Sequence, residues 1–569
     1  MAEKLTNEQQ AAVDSRERSL LVSAAAGSGK TKVLVERLFS YVEREGANLD
    51  DFLIITYTRA AASELRGKIA KALTERMERD PGNYHLRQQM LRVYRADIKT
   101  VDAFCTALLR ENCHLLGEDA RGHALRPDFR VLDENEAQVL RERVLARTLD
   151  DFYGRLTTGS TLLADTLGAG RDDSALEDLV LELHAKLQAQ PYEDKWLEAQ
   201  RAFWRAVPDK IEDTPYGKIL LNEVRRKARH CKNLLQRAAQ EMCANDALNQ
   251  KYAPAFLDAS YQLEALEGKT AEGWDAARGV TIAFPRLAAV KDSDGGEMKA
   301  RMKSLWDNCK ETVKGFAEIF SASSDEAVED LRTMASAMLA LIDLTADFSR
   351  RFNEEKRRRN SADFSDQEHE AIRLLIGEDG APTELARIVS ARYREIMVDE
   401  YQDTNEVQNR IFDAISCKGQ NLFTVGDVKQ SIYRFRLADP RIFLQHYNTW
   451  PPLEDAEEHD SAKLLLSRNF RSRKEVLDAT NFIFCNILSE EMGELADEML
   501  RLGANYVESS ACGAEFHLLD LPTQTGEQRV RASEAEAAFV ADHISNMLTS
   551  EFPIQDDKTK ELRPVCEED

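Results

Sequence analysis

The fold is decided by the stretch Leu20-Leu21-Val22-Ser23-Ala24-Ala25-Ala26-Gly27-Ser28-Gly29-Lys30-Thr31. It joins a short apolar run, typical of a buried β-strand, to a loop of small residues that ends in Gly-Lys-Thr. Small residues let several backbone N–H groups converge on phosphate oxygens, and the helix that follows directs its positive N-terminal end at the same anion. Ala24 stands where the pattern usually has glycine, but the strand and the spacing fit. The stretch predicts an α/β fold with a nucleoside triphosphate site.

The last two residues of this loop have individual predicted roles, and the others are predicted to bind nucleotide together. Lys30 is expected to reach the β- and γ-phosphates, and the Thr31 hydroxyl is expected to ligate Mg²⁺. The rest of the predicted nucleotide-binding loop is Ala24, Ala25, Ala26, Gly27, Ser28 and Gly29. The predicted cofactors are therefore ATP and Mg²⁺.

The composition is that of an ordinary globular protein, with 569 residues, 43% hydrophobic content and a formal net charge of −24. Such an acidic chain is not a histone-like coat for nucleic acid, although a local basic channel can still bind it. The nine cysteines form no C-x-x-C pair, so neither a zinc ribbon nor a disulfide framework is indicated. No apolar stretch approaches the roughly 20 residues of a membrane span, and the polar N-terminus is unlike a signal peptide. We expect a cytoplasmic protein without a membrane partner.

Short apolar strand candidates fall into two groups on either side of a long helical segment. They are residues 19–23, 51–56, 395–398, 421–425 and 464–466. Strands that alternate with helices are typical of a parallel mononucleotide-binding sheet. We therefore predict a first α/β domain at 1–111 that continues at 360–450, with a mostly helical domain inserted at 112–359. A second α/β unit is predicted to begin at 451, to have a further strand at 515–520, and to be incomplete at 569.

The basic run Lys356-Arg357-Arg358-Arg359 ends the inserted segment. Charge runs on helices are usually solvated faces. Four consecutive cations also suit a contact with nucleic-acid phosphates. The sequence leaves these two interpretations evenly balanced.

An acidic pair follows the third strand candidate and complements the loop. Asp399 is expected to hold Mg²⁺, and Glu400 is expected to orient and deprotonate the attacking water. Gln430 follows the next strand, where it would sense the γ-phosphate. Arg471 follows the last one, where an arginine from across a cleft would neutralise developing charge. The predicted catalytic set is Lys30, Glu400, Gln430 and Arg471.

Aromatic and basic side chains are interleaved at two strand ends. Rings of this kind stack on bases, while guanidinium groups hold phosphates. We therefore predict that a nucleic-acid strand contacts Tyr57, Thr58, Arg59, Tyr433, Phe435 and Arg436. The alternative, in which Tyr433 and Phe435 are core residues, stays open at this point.

Taken in order along the chain, these motifs resemble those of the superfamily 1A DNA helicases. The likeness extends to Leu5-Thr6-x-x-Gln9, to residues 56–65 and to Asn469-Phe470-Arg471-Ser472. Within that superfamily, residues 95–105, 126–133 and 426–440 are most similar to the AddA family, which supplies one of the two subunits of bacterial helicase–nuclease complexes that process double-strand breaks. The resemblance implies a RecA-like P-loop NTPase motor domain with a parallel sheet, a large inserted helical domain and an incomplete second RecA-like domain.

The resemblance also implies residue roles and partners. Gln9 would contact adenine, Phe470 would stack beside it, and Arg471 would complete the nucleotide site. The substrates would be single-stranded and double-stranded DNA, and the partner would be an AddB-like protein in a heterodimer for repair by homologous recombination. Asp102 stands where the family usually has histidine. The family's late helicase motifs and nuclease domain do not occur in these residues, so we expect a helicase fragment without nuclease activity.

Three alternatives to this interpretation remain at the level of sequence. A nucleotide-binding scaffold would keep the fold without translocating on DNA. A UvrD-type helicase outside the AddA branch would keep the motor but change the complex. A small-molecule kinase would keep only the phosphate loop, and it gives no account of the aromatic and basic strand ends.

Overall fold

The chain, seen in a computed structural model, divides into two units. The first unit consists of Met1–Ala137, Gln188–Pro191 and Glu354–Asp569. The second unit consists of Gln138–Leu187 and Tyr192–Asn353. The structure describes residues 5–118, 122–155, 157–167, 174–416, 419–488, 499–507, 513–521, 531–556, 559 and 561–568. The second unit lies within the segment 112–359 that we predicted as an insertion, and the domain bounds themselves stay a prediction.

All the described strands belong to the first unit, where they alternate with helices. The strands are β1 Leu20–Ala24, β2 Phe52–Thr56, β3 Asp97–Thr100, β4 Arg130–Val131, β5 Ser361–Ala362, β6 Glu395–Val398, β7 Leu422–Gly426, β8 Ala462–Leu466, β9 Arg468–Asn469, β10 Arg501–Leu502, β11 Pro553–Gln555 and β12 Leu562–Pro564. The helices up to the end of the second unit are α1 Asn7–Asp14, α2 Lys30–Glu45, α3 Arg59–Arg79, α4 Tyr84–Arg92, α5 Val101–Asn112, α6 Glu134–Tyr153, α7 Thr158–Leu167, α8 Ser174–Gln188, α9 Glu193–Arg205, α10 Pro215–Met242, α11 Asp246–Lys251, α12 Ala253–Lys269, α13 Trp274–Arg278, α14 Asp292–Ile319 and α15 Ser324–Arg358. The later helices are α16 Phe364–Leu375, α17 Glu384–Arg392, α18 Glu406–Ile415, α19 Pro440–Thr449, α20 Lys474–Ile487 and α21 Ala532–Thr549.

A six-stranded parallel sheet in the order β3-β2-β6-β7-β1-β8 forms the centre of the first unit. Strands β1, β2, β6 and β7 are buried along their whole length, as continuous apolar runs in a sheet covered on both faces should be. The register sets Val22 beside Val425 and Ile54 beside Met397. All strands of a parallel sheet end at one edge, so the segments after β1, β2, β6 and β7 meet there. These observations confirm the predicted α/β fold with a parallel sheet.

The strand at 464–466 was expected to open a second α/β unit, and this part of the prediction differs from the structure. It forms the end of β8, which pairs with β1 at the edge of the first sheet, with Leu464 beside Val22. The Ala462 N–H also donates to the Ser19 carbonyl at 2.9 Å. An apolar strand gives no indication of its partner, because its neighbour in the sheet is chosen by packing across the whole chain.

One further strand was not predicted, and one strand prediction was wrong. Strand β3 was not predicted, because three of its four residues are polar. The Tyr393 hydroxyl stabilises it by donating to Asp97 at 2.6 Å. Residues 515–520, predicted as a strand, have no regular structure. Phe516 there is 90% exposed, and a strand forms only where it finds a neighbour to pair with.

The second unit is helical, and its core lies between α10, α12 and α14. Phe256 stacks on Trp306 with ring centroids 4.8 Å apart, and Phe284 meets Trp306 at 4.7 Å. Large rings of this kind bury much of the apolar area that holds such helices together. Among the described residues, every helix is too short or too polar to span a bilayer.

The cations of the basic run 356–359 are all paired with carboxylates. Lys356 is 1% exposed and forms ion pairs with both Asp363 and Asp366 at 2.7 Å. The other three cations also pair with carboxylates: Arg357 with Glu370, and Arg358 and Arg359 with Glu355. The buried Lys356 therefore serves the structure of the first unit, whereas a phosphate contact by the exposed Arg358 and Arg359 stays a prediction, because exposed ion pairs are weak.

Candidate functional site

The phosphate loop lies between β1 and α2, as predicted. Gly27 has φ +69° and Gly29 has φ +86°, a left-handed conformation that favours glycine. The hydroxyl of Ser28 is buried, and among the described residues it has no hydrogen-bond partner. A buried hydroxyl without a partner is costly, so a polar ligand at the loop would satisfy it. The loop therefore has the backbone and the spare donor that a phosphate needs.

Gln9 reaches this loop from α1. Its backbone N–H donates to the Thr6 hydroxyl at 3.1 Å, and its side-chain oxygen accepts from the Thr6 N–H at 3.0 Å, which is a capping box. The same side chain donates through Nε2 to the Ser28 carbonyl at 2.9 Å. The capping box thus fixes Gln9 against the loop where the predicted adenine contact would be made.

The acidic pair follows β6 at the same edge of the sheet. Glu400 has φ +55°, a strained conformation for a residue other than glycine. Its side chain accepts from Lys30 Nζ at 2.8 Å. Burial, together with the neighbouring Glu400 charge, raises the pKa of Asp399 to about 6. A cation beside Asp399 would favour its charged form, so these carboxylates fit a divalent metal.

The segment after β8 contacts the phosphate loop through its backbone and through Asn469. The Asn469 amide donates to the Ala26 carbonyl at 2.6 Å, and the Phe470 N–H donates to the Gly27 carbonyl at 2.8 Å. Asn469 Oδ1 also accepts the Arg471 N–H at 2.8 Å. Arg471 is exposed and Phe470 is half-buried. No role was predicted for Asn469, although its place between Arg468 and Phe470 in a recognised motif was the signal for one.

One cavity of about 420 Å³ brings together residues from both predicted sites. Its lining includes Thr31, Asp399, Glu400 and Gln430 from the predicted nucleotide site, and Tyr57, Thr58 and Tyr433 from the predicted DNA site. Gln9 and Phe470 instead contact the phosphate loop through its carbonyl groups. The two predicted sites are therefore adjacent and share one space.

The residues predicted to contact DNA differ in their exposure and in the hydrogen bonds that they already make. The Tyr57 hydroxyl is hydrogen-bonded to the Thr404 hydroxyl, and burial raises the pKa of that tyrosine. The Thr58 side chain caps α3, where Arg59 is the exposed first residue. The rings of Tyr433 and Phe435 are 5.9 Å apart, and Phe435 is 76% exposed. Phe435 is therefore a surface ring rather than a core residue, while the side chain of Arg436 lies outside what the structure describes.

Asp102, at the position where the resemblance leads one to expect histidine, lies in the first turn of α5. Burial raises the pKa of its carboxyl group, with Arg59 acting against the rise. The buried Glu368 is another acid of this region, and burial together with the Asp102 charge raises its pKa to about 7. Burial therefore disfavours the charged form of both groups.

Comparisons with known proteins show what the chain is similar to. The model of the UvrD/REP helicase N-terminal domain matches residues 5–451. The chain is 34% identical to the A-subunit of the ATP-dependent helicase/nuclease of Ruminiclostridium cellulolyticum, over 99% of this chain and 46% of that protein. It is 35% identical to the protein of the same name from Acetivibrio thermocellus, over 94% of this chain and 44% of that protein, and 34% identical to the one from Bacillus cytotoxicus, over 98% and 46%.

The chain thus spans about half the length of the curated relatives it matches. The likeness to superfamily 1A helicases and to the AddA family is confirmed, and family membership implies the use of ATP with a divalent metal. On the match over residues 5–451 and the parallel sheet that carries the phosphate loop, the chain belongs to the UvrD/REP helicase N-terminal domain family.

Proposed function

We propose that this chain is the ATP-hydrolysing motor portion of a DNA helicase of the AddA type. The observation that carries the proposal is the single cavity lined both by the nucleotide-site residues and by Tyr57, Thr58 and Tyr433. A motor must make DNA contact and hydrolysis depend on each other, and adjacency is the simplest way to do so. A kinase that acts on small molecules would not need DNA-contacting residues in the lining of its nucleotide cavity.

The nucleotide roles follow from the contacts of each group. The loop from Ala24 to Gly29 would hold the phosphates through backbone N–H groups, with Lys30 supplying the balancing charge. Bound Mg-ATP would supply the free energy of phosphoryl transfer to water. Glu400 would accept the proton of the attacking water, and the exposed Arg471 is free to turn toward developing negative charge. Gln9 would contact the base and Phe470 would stack beside it.

The metal roles fall to Thr31 and Asp399. Both line the cavity, one at the first turn of α2 and the other at the end of β6. A hydroxyl and a carboxylate are oxygen ligands of the kind that Mg²⁺ takes, with water completing its shell. A cation bound here would favour the charged form of Asp399, whose pKa burial raises.

The DNA roles fall to Tyr57, Thr58, Arg59, Tyr433, Phe435 and Arg436. Stacking on exposed rings is tolerant of sequence, as a motor that travels along DNA requires. For the whole protein we propose a heterodimer with an AddB-like partner, which acts in double-strand-break repair by homologous recombination. Its substrate, chromosomal DNA, leads us to expect it in the bacterial cytoplasm.

Binding measurements with two lysine variants test the proposed site. Lys30→Ala should weaken binding of a fluorescent Mg-ATP analogue by at least about 10-fold, because it removes the cation of the loop. Lys71→Ala is the matched control, since Lys71 is an exposed lysine of α3. Equal affinities for the two variants would contradict the nucleotide site. Failure of the unsubstituted chain to bind oligo-dT would contradict the DNA site and favour a nucleotide-binding scaffold.

A further inference from the structure

Gln402 lies between two parts of the proposed nucleotide site and contacts both. It belongs to the short 3₁₀ turn Tyr401–Asp403 that follows Glu400, and it is only 2% exposed. Its Nε2 donates to Glu400 Oε2 at 2.9 Å, and its Oε1 accepts the Asp427 N–H at 2.9 Å. A single buried amide therefore joins the segment after β6 to the segment after β7.

The orientation of this amide is fixed by its surroundings. The Asp427 N–H can only donate, so the end of Gln402 that faces it must be the oxygen, and the NH₂ group must face Glu400. Gly426 packs directly against Gln402, and a Cβ at that position would clash with Gln402 Oε1. The Ser431 hydroxyl also holds the turn by donating to the backbone carbonyl of Gln402 at 3.3 Å. The hydrogen bonds and the packing therefore permit one orientation of the Gln402 side-chain amide.

This arrangement determines which oxygen of Glu400 is engaged. Gln402 Nε2 and Lys30 Nζ, at 2.9 and 2.8 Å, both donate to Oε2. Lys30 is expected to turn to the phosphates when nucleotide binds, whereas Gln402 Nε2 stays on Oε2 and leaves Oε1 as the oxygen that would receive a proton from water. The chain of contacts continues from Asp427, whose Oδ2 accepts from Gln430 Nε2 at 2.6 Å. Glu400 and Gln430 are therefore linked through Gln402 and Asp427.

We propose that Gln402 is a positioning residue for hydrolysis, which orients Glu400 and couples it to Gln430. The proposal rests on the proposed function, because it assumes that Glu400 activates water. A positioning residue should change the turnover number and leave substrate affinity alone, since it acts through another side chain rather than on the nucleotide. A displacement of about 1 Å in a catalytic group can cost on the order of 100-fold in rate.

Two variants of Gln402 separate orientation from support of the fold. Gln402→Met fills a similar volume and removes both hydrogen bonds. Gln402→Glu keeps an oxygen for the Asp427 N–H but replaces the donor to Glu400 by a second carboxylate. The matched control is Gln408→Met, because Gln408 Nε2 donates in the same way to the buried Glu368, at 2.7 Å. All are assayed as the full chain with oligo-dT, and thermal unfolding is recorded for each.

Both Gln402 variants should lower kcat for ATP hydrolysis by about 10- to 100-fold, with KM for ATP and Kd for oligo-dT within about twofold of the unsubstituted chain. Gln408→Met should leave all three within about twofold. The proposal is overturned if Gln402→Glu keeps its kcat, if KM rises in step with the loss, or if Gln408→Met is equally slow. An unsubstituted chain that binds ATP without hydrolysing it is detected before any variant is made, and it would overturn the proposed function and this inference with it.

Discussion

Gly27→Ala offers a sharp test of the contact between the phosphate loop and the segment after β8. The substitution should lower the free energy of unfolding for two separate reasons. The φ of +69° is a left-handed conformation, which costs a residue with a Cβ about 1–2 kcal/mol. The added Cβ would also lie 2.7 Å from Asn469 Nδ2 and 2.9 Å from Arg471 Cβ. Ordinary carbon contacts lie at about 3.5–4.0 Å, so the segment must move, and overpacking of this kind costs about 1–3 kcal/mol more.

Gly46→Ala is the matched control, because it introduces only the strain of a left-handed φ and no clash. Gly46 ends α2 with φ +68°, and a Cβ there would meet nothing within 4 Å. Urea unfolding should therefore show a loss of about 1–2 kcal/mol for Gly46→Ala and about 2–5 kcal/mol for Gly27→Ala. The affinity for a fluorescent Mg-ATP analogue should fall on the order of 10- to 100-fold in Gly27→Ala only, since a shift of 1.4 kcal/mol is tenfold. Equal stability and equal affinity in the two variants would refute the reasoning.

Other predictions concern the core and the surface of the first unit. The Arg37 guanidinium, 0% exposed, donates to Glu395. Arg37→Met should cost about 3–5 kcal/mol in urea unfolding by leaving a buried charge unpaired, and Glu395→Met added to it should recover part of that loss. The pKa of Glu368, raised by burial from 4.5 to about 7, means that the folded state binds this proton more tightly. Its contribution to the free energy of unfolding is therefore complete below about pH 4.5, and up to about 3 kcal/mol of it is lost as the pH rises through 7. Glu368→Gln should flatten this part of the plot of unfolding free energy against pH. An unchanged plot would contradict the assignment. Phe435→Ala should weaken oligo-dT binding by about 1–3 kcal/mol in fluorescence anisotropy, whereas Tyr94→Ala, with the same 76% exposure, should not.

Local chemistry explains which parts of the fold could be predicted. The phosphate loop and Gln9 depend on neighbours in sequence, namely positive φ at Gly27 and Gly29 and the capping box with Thr6. The strand that carries Asp399 and Glu400 was recognisable because a fully buried parallel strand is a continuous apolar run. These features need no knowledge of distant residues.

The parts that could not be predicted depend on distant partners. Strand β8 joins the first sheet because its neighbour is β1, more than 400 residues earlier in the chain. Lys356 is part of a basic run, yet Asp363 and Asp366 neutralise it in the fold. Asn469 and Gln402 stood inside recognised motifs, but only the structure shows that one holds Ala26 and the other holds Glu400. Sequence patterns identify such motifs more easily than they assign a role to each member.

The shared cavity leads to the central claim that nucleotide chemistry and DNA contact are coupled in this chain. The most direct measurement is the rate of ATP hydrolysis by the full chain with and without oligo-dT, compared with Glu400→Gln. We predict stimulation by DNA in the unsubstituted chain and loss of turnover in Glu400→Gln, with Mg-ATP binding retained. A rate that is independent of DNA, or undiminished in Glu400→Gln, would contradict the claim.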